Sequence, residues 1–176
     1  MTRPSRDIRM LAVALETAKG STCARRTVGC ILVDARGKVL ATGYNGPASG
    51  LPHCNEGSPC PGASLPSGEG LDLCEAIHAE QNALLQCADV RQIDTCYCTC
   101  SPCVTCVKLL LNTSCRRIVF LDEYPHEAAR RLWEGPYARR EWVQMSPAAD
   151  DPLTLDVLQR QREDIEAWLY RPAKDE

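Results

Sequence analysis

The stretch 95–106, TCYCTCSPCVTC, holds five cysteines in two different rhythms: Cys96, Cys98 and Cys100, then Cys103 and Cys106. Alternate side chains of a β-strand share a face. Cys96, Cys98 and Cys100 are therefore read as small packing groups on one face of a strand, a common place for free cysteine. Ser101-Pro102 ends the strand. Cys103 and Cys106, three residues apart, put both sulfurs on one face of a helix that starts there. A helix N-terminus favours the thiolate, the form that binds metal.

Outward from this strand-to-helix corner, the remaining chain alternates in the same way. VGCILVD (28–34) and KVLATGY (38–44) are β-branched runs joined through Gly37, which predicts a hairpin. Residues 73–88 are expected to form a helix with Ala76, Ile77, Ala83, Leu84 and Cys87 on its apolar side. A helix is expected over 103–114, a strand over 116–122, a helix over 126–135 and a short strand over 141–145. Asp151-Pro152 opens a last helix to about Tyr170. Two strands followed by such alternation give an α/β sheet with helices on its faces. The domain reading is one unit over 1–149 with a C-terminal helical extension over 150–176.

At 176 residues, 24% charged and 44% apolar, the chain suits one globular domain. A net charge of −3 weakly opposes long nucleic acids as partners, though not a single nucleotide. No run approaches the ~20 apolar residues of a membrane span. The N-terminus could be read as a signal peptide. Ile8, Leu11, Ala12, Leu15 and Ala18 recur at helical spacing instead, with Asp7 and Glu16 beside them, so residues 6–19 are read as an amphipathic first helix. That implies a cytoplasmic protein with reduced thiols, in which 12 cysteines point to metal before disulfides.

Cys103-x-x-Cys106 alone fits either a redox dithiol or a metal site. His78-Ala79-Glu80 supplies a third ligand and a carboxylate that is not one. His78, Cys103 and Cys106 give zinc three protein ligands and leave a fourth position for water, whose pKa such a zinc lowers to about 7. Glu80 is the general acid–base. H-x-E…P-C-x-x-C is the signature of zinc nucleobase deaminases.

The segments GSTCARRTVGC, TGYNG, GLPHC, HAEQNA and SPCVTC together resemble the deoxycytidylate (dCMP) deaminase family over residues 5–145. The resemblance implies a cytidine-deaminase-like three-layer α/β/α fold with a mixed five-stranded sheet. It implies zinc-dependent hydrolysis of dCMP to dUMP and ammonia, which supplies dUMP for thymidylate synthesis. It also implies a homohexamer, with dCTP and dTTP as effectors and Mg2+ accompanying a nucleotide effector. Asp89 stands where regulated members often carry a basic residue, and Cys30 and Cys100 replace more usual apolar ones. Other deaminase substrates compete: dCTP, a 5-substituted dCMP, cytidine, guanine or an RNA adenosine. A non-catalytic zinc-stabilised binding module and a dithiol redox protein are the readings from other classes.

The Gly/Pro/Cys-rich segment 45–72 is too long for an ordinary loop and needs something to hold it. Some members of the resembled family pin this region with a second, structural zinc. Cys23, Cys54, Cys60 and Cys74 are the candidate ligands here, with His53 as a substitute for one of them and no second metal as the alternative. Cys74 is placed one turn before His78 on the same expected helix. Asn45 is read either as a turn residue tolerant of positive φ or, from the resemblance, as a contact to the sugar. Arg26 and Tyr124 are the phosphate candidates, with Arg25 competing. Ala79 and the Ser101 corner complete the expected substrate contacts.

Overall fold

The computed structural model describes residues 3–66, 69–124, 126–135, 139–145 and Glu163. Helix α1 spans Arg6–Ala18 and starts where the Ser5 hydroxyl accepts the Ile8 N–H at 3.3 Å, an N-cap that satisfies one orphan donor. Ile8, Leu11, Ala14, Leu15 and Ala18 form its buried stripe, so Ala14 takes the place expected of Ala12.

Strands β1 (Gly29–Val33) and β2 (Val39–Tyr44) form the expected antiparallel hairpin. The Asp34 carboxylate accepts the Arg36 and Lys38 N–H groups at 2.9 and 2.8 Å, and Gly37 closes the turn at φ 84°. Strand β3 (Thr95–Cys100) pairs antiparallel with β1, β4 (Arg117–Asp122) parallel with β3, and β5 (Glu141–Gln144) parallel with β4. The order β2-β1-β3-β4-β5 is a mixed five-stranded sheet, as expected.

Helices α2 (Ala79–Gln86), α3 (Val104–Leu111) and α4 (Glu127–Trp133) cover one face. There Ala83, Val107, Leu110 and Trp133 pack on Cys30, Leu32, Cys96, Cys98, Ile118 and Phe120. On the other face Leu11 and Ala14 of α1 pack on Ile31, Val33, Tyr97 and Val119. The strict alternation of β3, with Tyr97 on one face and Cys96 and Cys98 on the other, is thus realised as a central strand buried on both sides. Tyr97 donates its hydroxyl to Asp7 at 2.6 Å, and Arg117 donates to both oxygens of that carboxylate at 3.3 and 3.1 Å. This ties α1 to β3 and β4.

The expected helix over 73–88 is half absent. Leu71–Leu73 form a 3-10 turn, residues 74–77 are not helical, and α2 begins at Ala79. The cause is tertiary. Ile77 exchanges backbone hydrogen bonds with Gly46, at 2.8 and 3.2 Å, in an isolated antiparallel bridge. The bridge holds the chain extended until His78, the N-cap, at φ −70° and ψ 154°. Cys74 and His78 therefore do not share a helix. Asp89 has a local role, accepting the Arg91 N–H at 2.9 Å to cap the 3-10 turn Val90–Gln92. Apart from Glu163, the extension over 150–176 lies outside the described residues. No helix among the described residues is long and apolar enough to cross a membrane.

Candidate active site

Two helix starts meet at one point. Strand β3 ends at Cys100, and the chain turns through Ser101-Pro102 to Cys103, the N-cap of α3. The Val107 N–H donates to the Cys103 carbonyl at 2.9 Å, which places Cys106 in the first turn, fully buried. Opposite stands His78, whose own N–H is held by the Gln81 side chain at 2.9 Å. Sequence reasoning passed over Gln81, although a cap residue followed three positions later by Gln is a capping-box spacing.

His78 Nδ1 lies 3.5 Å from Cys103 Sγ and 3.4 Å from Cys106 Sγ, and the two sulfurs are 3.7 Å apart. Tetrahedral zinc with ordinary Zn–S and Zn–N bonds requires edges of about 3.8 Å between sulfurs and about 3.5 Å between sulfur and nitrogen. The donors already stand at the corners of such a site, so the residues fit zinc. The hydrogen bond with the Cys106 thiol, aided by His78, pulls the Cys103 thiol down to about 3. Sharing with Cys103 and burial push Cys106 up, and the contact with Cys103 raises His78.

Glu80, in the first turn of α2, is 4% exposed and lies outside the ligand cluster. Burial pushes its carboxyl up to about 7, so near neutrality it exchanges a proton at little free-energy cost. Its helix is seated on β2 through Gly43. A Cβ at that position would come within 2.2 Å of the Ala79 carbonyl oxygen and 2.4 Å of the Ala83 nitrogen. Asn82 adds a hydrogen bond to the Tyr44 carbonyl at 2.7 Å.

A pocket of about 110 Å3 opens over these groups, and Arg26, Asn45, Ala79, Ser101 and Tyr124 all line it. The residues expected around the substrate thus line one pocket. Asn45 is buried and no non-glycine residue described has positive φ, so Asn45 is no positive-φ turn residue. Its Oδ1 accepts from the Ser21 hydroxyl at 2.7 Å and the Val28 N–H at 2.8 Å, and its Nδ2 donates to the Arg26 carbonyl at 2.6 Å. It fixes the segment that carries Arg26. Arg26 itself is exposed, with Nη1 3.0 Å from Cys100 Sγ. Arg25 instead donates to the Pro66 and Glu69 carbonyls and tethers the long loop. Ser101 donates its N–H to the Asp122 carbonyl at 2.8 Å, and its hydroxyl accepts the Tyr124 N–H at 2.7 Å. Tyr124 is thereby held over the pocket, its ring stacked on His126. Cys100, read as packing, lines the pocket because β3 ends there.

The four loop cysteines form a chain of contacts. The Cys60 N–H donates to Cys54 Sγ at 3.4 Å, and the Cys60 thiol shares hydrogen bonds with Cys54 and Cys74, while Cys74 contacts Cys23. They are less tightly gathered than the His78 cluster: no three of them come together as its donors do among the described residues. His53 turns Nδ1 to the Thr22 hydroxyl at 2.9 Å.

A three-layer fold with a His-Cys-Cys donor set and a buried carboxylate beside it defines a zinc-binding deaminase domain. Residues 4–122 match the family described as the cytidine and deoxycytidylate deaminase zinc-binding region, and the chain belongs to that family. It is 40% identical over 126 residues to the deoxycytidylate deaminase of Schizosaccharomyces pombe, covering 69% of this chain and 38% of that one. It is 37% identical over 131 residues to the deoxycytidylate deaminase of Mycobacterium phage D29, covering 70% of this chain and 99% of that one. The chain spans about two fifths of the length of the yeast relatives it matches. Among solved structures, the dCMP deaminase of cyanophage S-TIM5 in complex with dCMP and dUMP superposes with a TM-score of 0.63 at 25% identity, over 82% of this chain and all of that one.

Proposed function

We propose that this chain hydrolyses dCMP to dUMP and ammonia. The observation that carries the proposal is the convergence of His78, Cys103 and Cys106 at tetrahedral spacing with the buried Glu80 beside them, at the base of a pocket with an arginine at its rim. His78, Cys103 and Cys106 would hold the zinc, which when bound supplies an activated water at neutral pH. Glu80 takes one proton from the attacking water and gives it to N3 of cytosine, then takes the second from the new C4 hydroxyl and gives it to the departing amine. Its burial keeps it poised for both directions. Arg26 is assigned to the phosphate, supported by its exposed position at the pocket, and Tyr124 assists there. Asn45 has one amide hydrogen beyond that donated to Arg26 for the sugar. The Ser101 carbonyl and the Ala79 backbone face the pyrimidine.

The second zinc remains part of the proposal, held by Cys23, Cys54, Cys60 and Cys74. The contacts among those thiols support it, as does the binding of His53 Nδ1 to Thr22 rather than to the cluster. A structural zinc site supplies on the order of 10 kcal/mol, and Cys23 and Cys74 also line the pocket, so the second metal would brace the first. Elemental analysis giving two zinc ions per chain, falling to one in Cys54→Ser with a lower Tm and weaker turnover, is the expected outcome. One zinc in the parent chain would remove this part. The family resemblance further assigns a cytoplasmic homohexamer with dCTP and dTTP as effectors and Mg2+ accompanying them, and 1–149 as the deaminase unit before a helical extension. Light scattering and effector titration test the assembly and the regulation. The substrate assignment is tested by assaying dCMP beside dCTP, 5-methyl-dCMP and cytidine; faster turnover of any of the others would reassign it.

A further inference from the structure

A second thiol cluster lies in the core beside the active site and takes no part in the mechanism above. Cys96 and Cys98 project from one face of β3, and Cys30 of β1 is the direct cross-strand partner of Cys98. Cys96 Sγ is 3.5 Å from Cys30 Sγ and 3.5 Å from Cys98 Sγ, and all three sulfurs lie within 4.8 Å of one another. All three residues are fully buried. The core cluster they belong to also holds Leu32, Ala83, Val107, Leu110, Cys115 and Phe120.

Three convergent soft donors suit a thiophilic centre, and the surroundings decide which kind. A divalent ion with three thiolates leaves a net charge of −1, and a monovalent ion leaves −2. Burying net charge without a partner costs several kcal/mol. A trivalent centre with three thiolates is neutral. Two of the three edges, from Cys96 to Cys30 and to Cys98, are shorter than the ~3.8 Å edge of a zinc tetrahedron, as suits a small pyramidal centre with a lone pair at its apex, and the Cys30–Cys98 edge, within 4.8 Å, closes on binding.

We propose that Cys30, Cys96 and Cys98 form a binding site for trivalent arsenic, taken up as arsenite. The reaction is a condensation: As(OH)3 and three cysteine thiols give As(S-Cys)3 and three waters. Three As–O and three S–H bonds break and three As–S and three O–H bonds form, with no change in oxidation state and no net charge brought into the core. The cluster is sealed from solvent, so uptake proceeds through local opening and is slow.

The test incubates the zinc-loaded chain with arsenite until uptake stops, removes free arsenite, and measures arsenic and zinc per chain. One arsenic per chain with zinc unchanged is expected. Cys30→Val and Cys98→Val, checked for retained zinc and cooperative melting, should lose the arsenic, and Cys87→Ala, at a thiol outside the clusters described, should keep it. No uptake, uptake in step with zinc release, undiminished uptake in Cys30→Val, or loss in Cys87→Ala would each overturn the assignment. Should the valine variants not fold, X-ray absorption at the arsenic edge of the wild-type adduct decides: three sulfur neighbours support the site, and any oxygen neighbour refutes it.

Discussion

Gly43→Ala adds one methyl group at a residue with no part in the proposed chemistry, and it should nevertheless cripple turnover. The new Cβ would stand 2.2 Å from the Ala79 carbonyl oxygen, 2.4 Å from the Ala83 nitrogen and 3.0 Å from the Ala83 Cα. All three are backbone atoms of α2, so no side chain can turn away to relieve the contact. Comfortable separation for such atoms is roughly 3.5 Å, so α2 must back off β2 by about 1 Å. The strain of overpacking costs about 1–3 kcal/mol. Helix α2 carries Glu80, and its N-cap is His78, so the same shift displaces a ligand and the proton carrier from Cys103 and Cys106. A misplacement of about 1 Å costs on the order of 10²-fold in rate. Thermal unfolding and steady-state kinetics with dCMP at matched zinc content read the two effects separately. The expected result is a lowered Tm together with kcat reduced about 100-fold. A variant with the parent Tm and kcat would show that the seating of α2 on β2 does not set the active-site geometry.

Glu80→Gln should keep its zinc and lose deamination by about 10³-fold, within the roughly 10²–10⁴ range of general acid–base catalysis; near-normal turnover would remove Glu80 from the mechanism. Cys96→Ala should leave zinc content unchanged and cost about 0.5–1.5 kcal/mol, as for deletion of a single buried heavy atom, measured by denaturant unfolding beside metal analysis. Burial raises the Asp7 carboxyl, but the hydrogen bonds from Arg117 and Tyr97 outweigh burial and hold it below its ordinary value of 3.8. Its contribution to stability is therefore present above pH 3.8 and lost as pH falls through the lower folded value. Asp7→Asn should lower stability at pH 7 by about 1.5–3 kcal/mol and flatten the pH dependence below pH 4; an unchanged acid limb would show that Asp7 does not contribute it.

The parts of the fold that rest on local pattern were legible. The alternating cysteines of β3, the Gly37 hairpin and the three-residue spacing of Cys103 and Cys106 each report a backbone period, and the structure has all three. The start of α2 was not legible, because Ile77 is held extended by Gly46, 31 residues earlier, and nothing near Ile77 signals that bridge. The same holds for Arg25, whose partners Pro66 and Glu69 lie 41 and 44 residues away. Asn45 reads from the sequence either as a turn residue or as a sugar contact, and the turn reading fails because Asn45 is a buried brace between Ser21, Arg26 and Val28 with no positive φ. Cys100 shows the limit of period-two reasoning. Alternation assigns its face, but only the end of the strand at the pocket decides that this face is open there.

Conversion of dCMP to dUMP is the reaction proposed for the His78, Cys103 and Cys106 cluster with Glu80. The most direct measurement follows ammonia and dUMP together from dCMP, using the zinc-loaded chain and the same chain with its zinc chelated. Equimolar ammonia and dUMP are expected from the loaded protein, none after chelation, and recovery when zinc is restored. Conversion that persists without zinc, or a fully zinc-loaded protein that leaves dCMP intact, would contradict it.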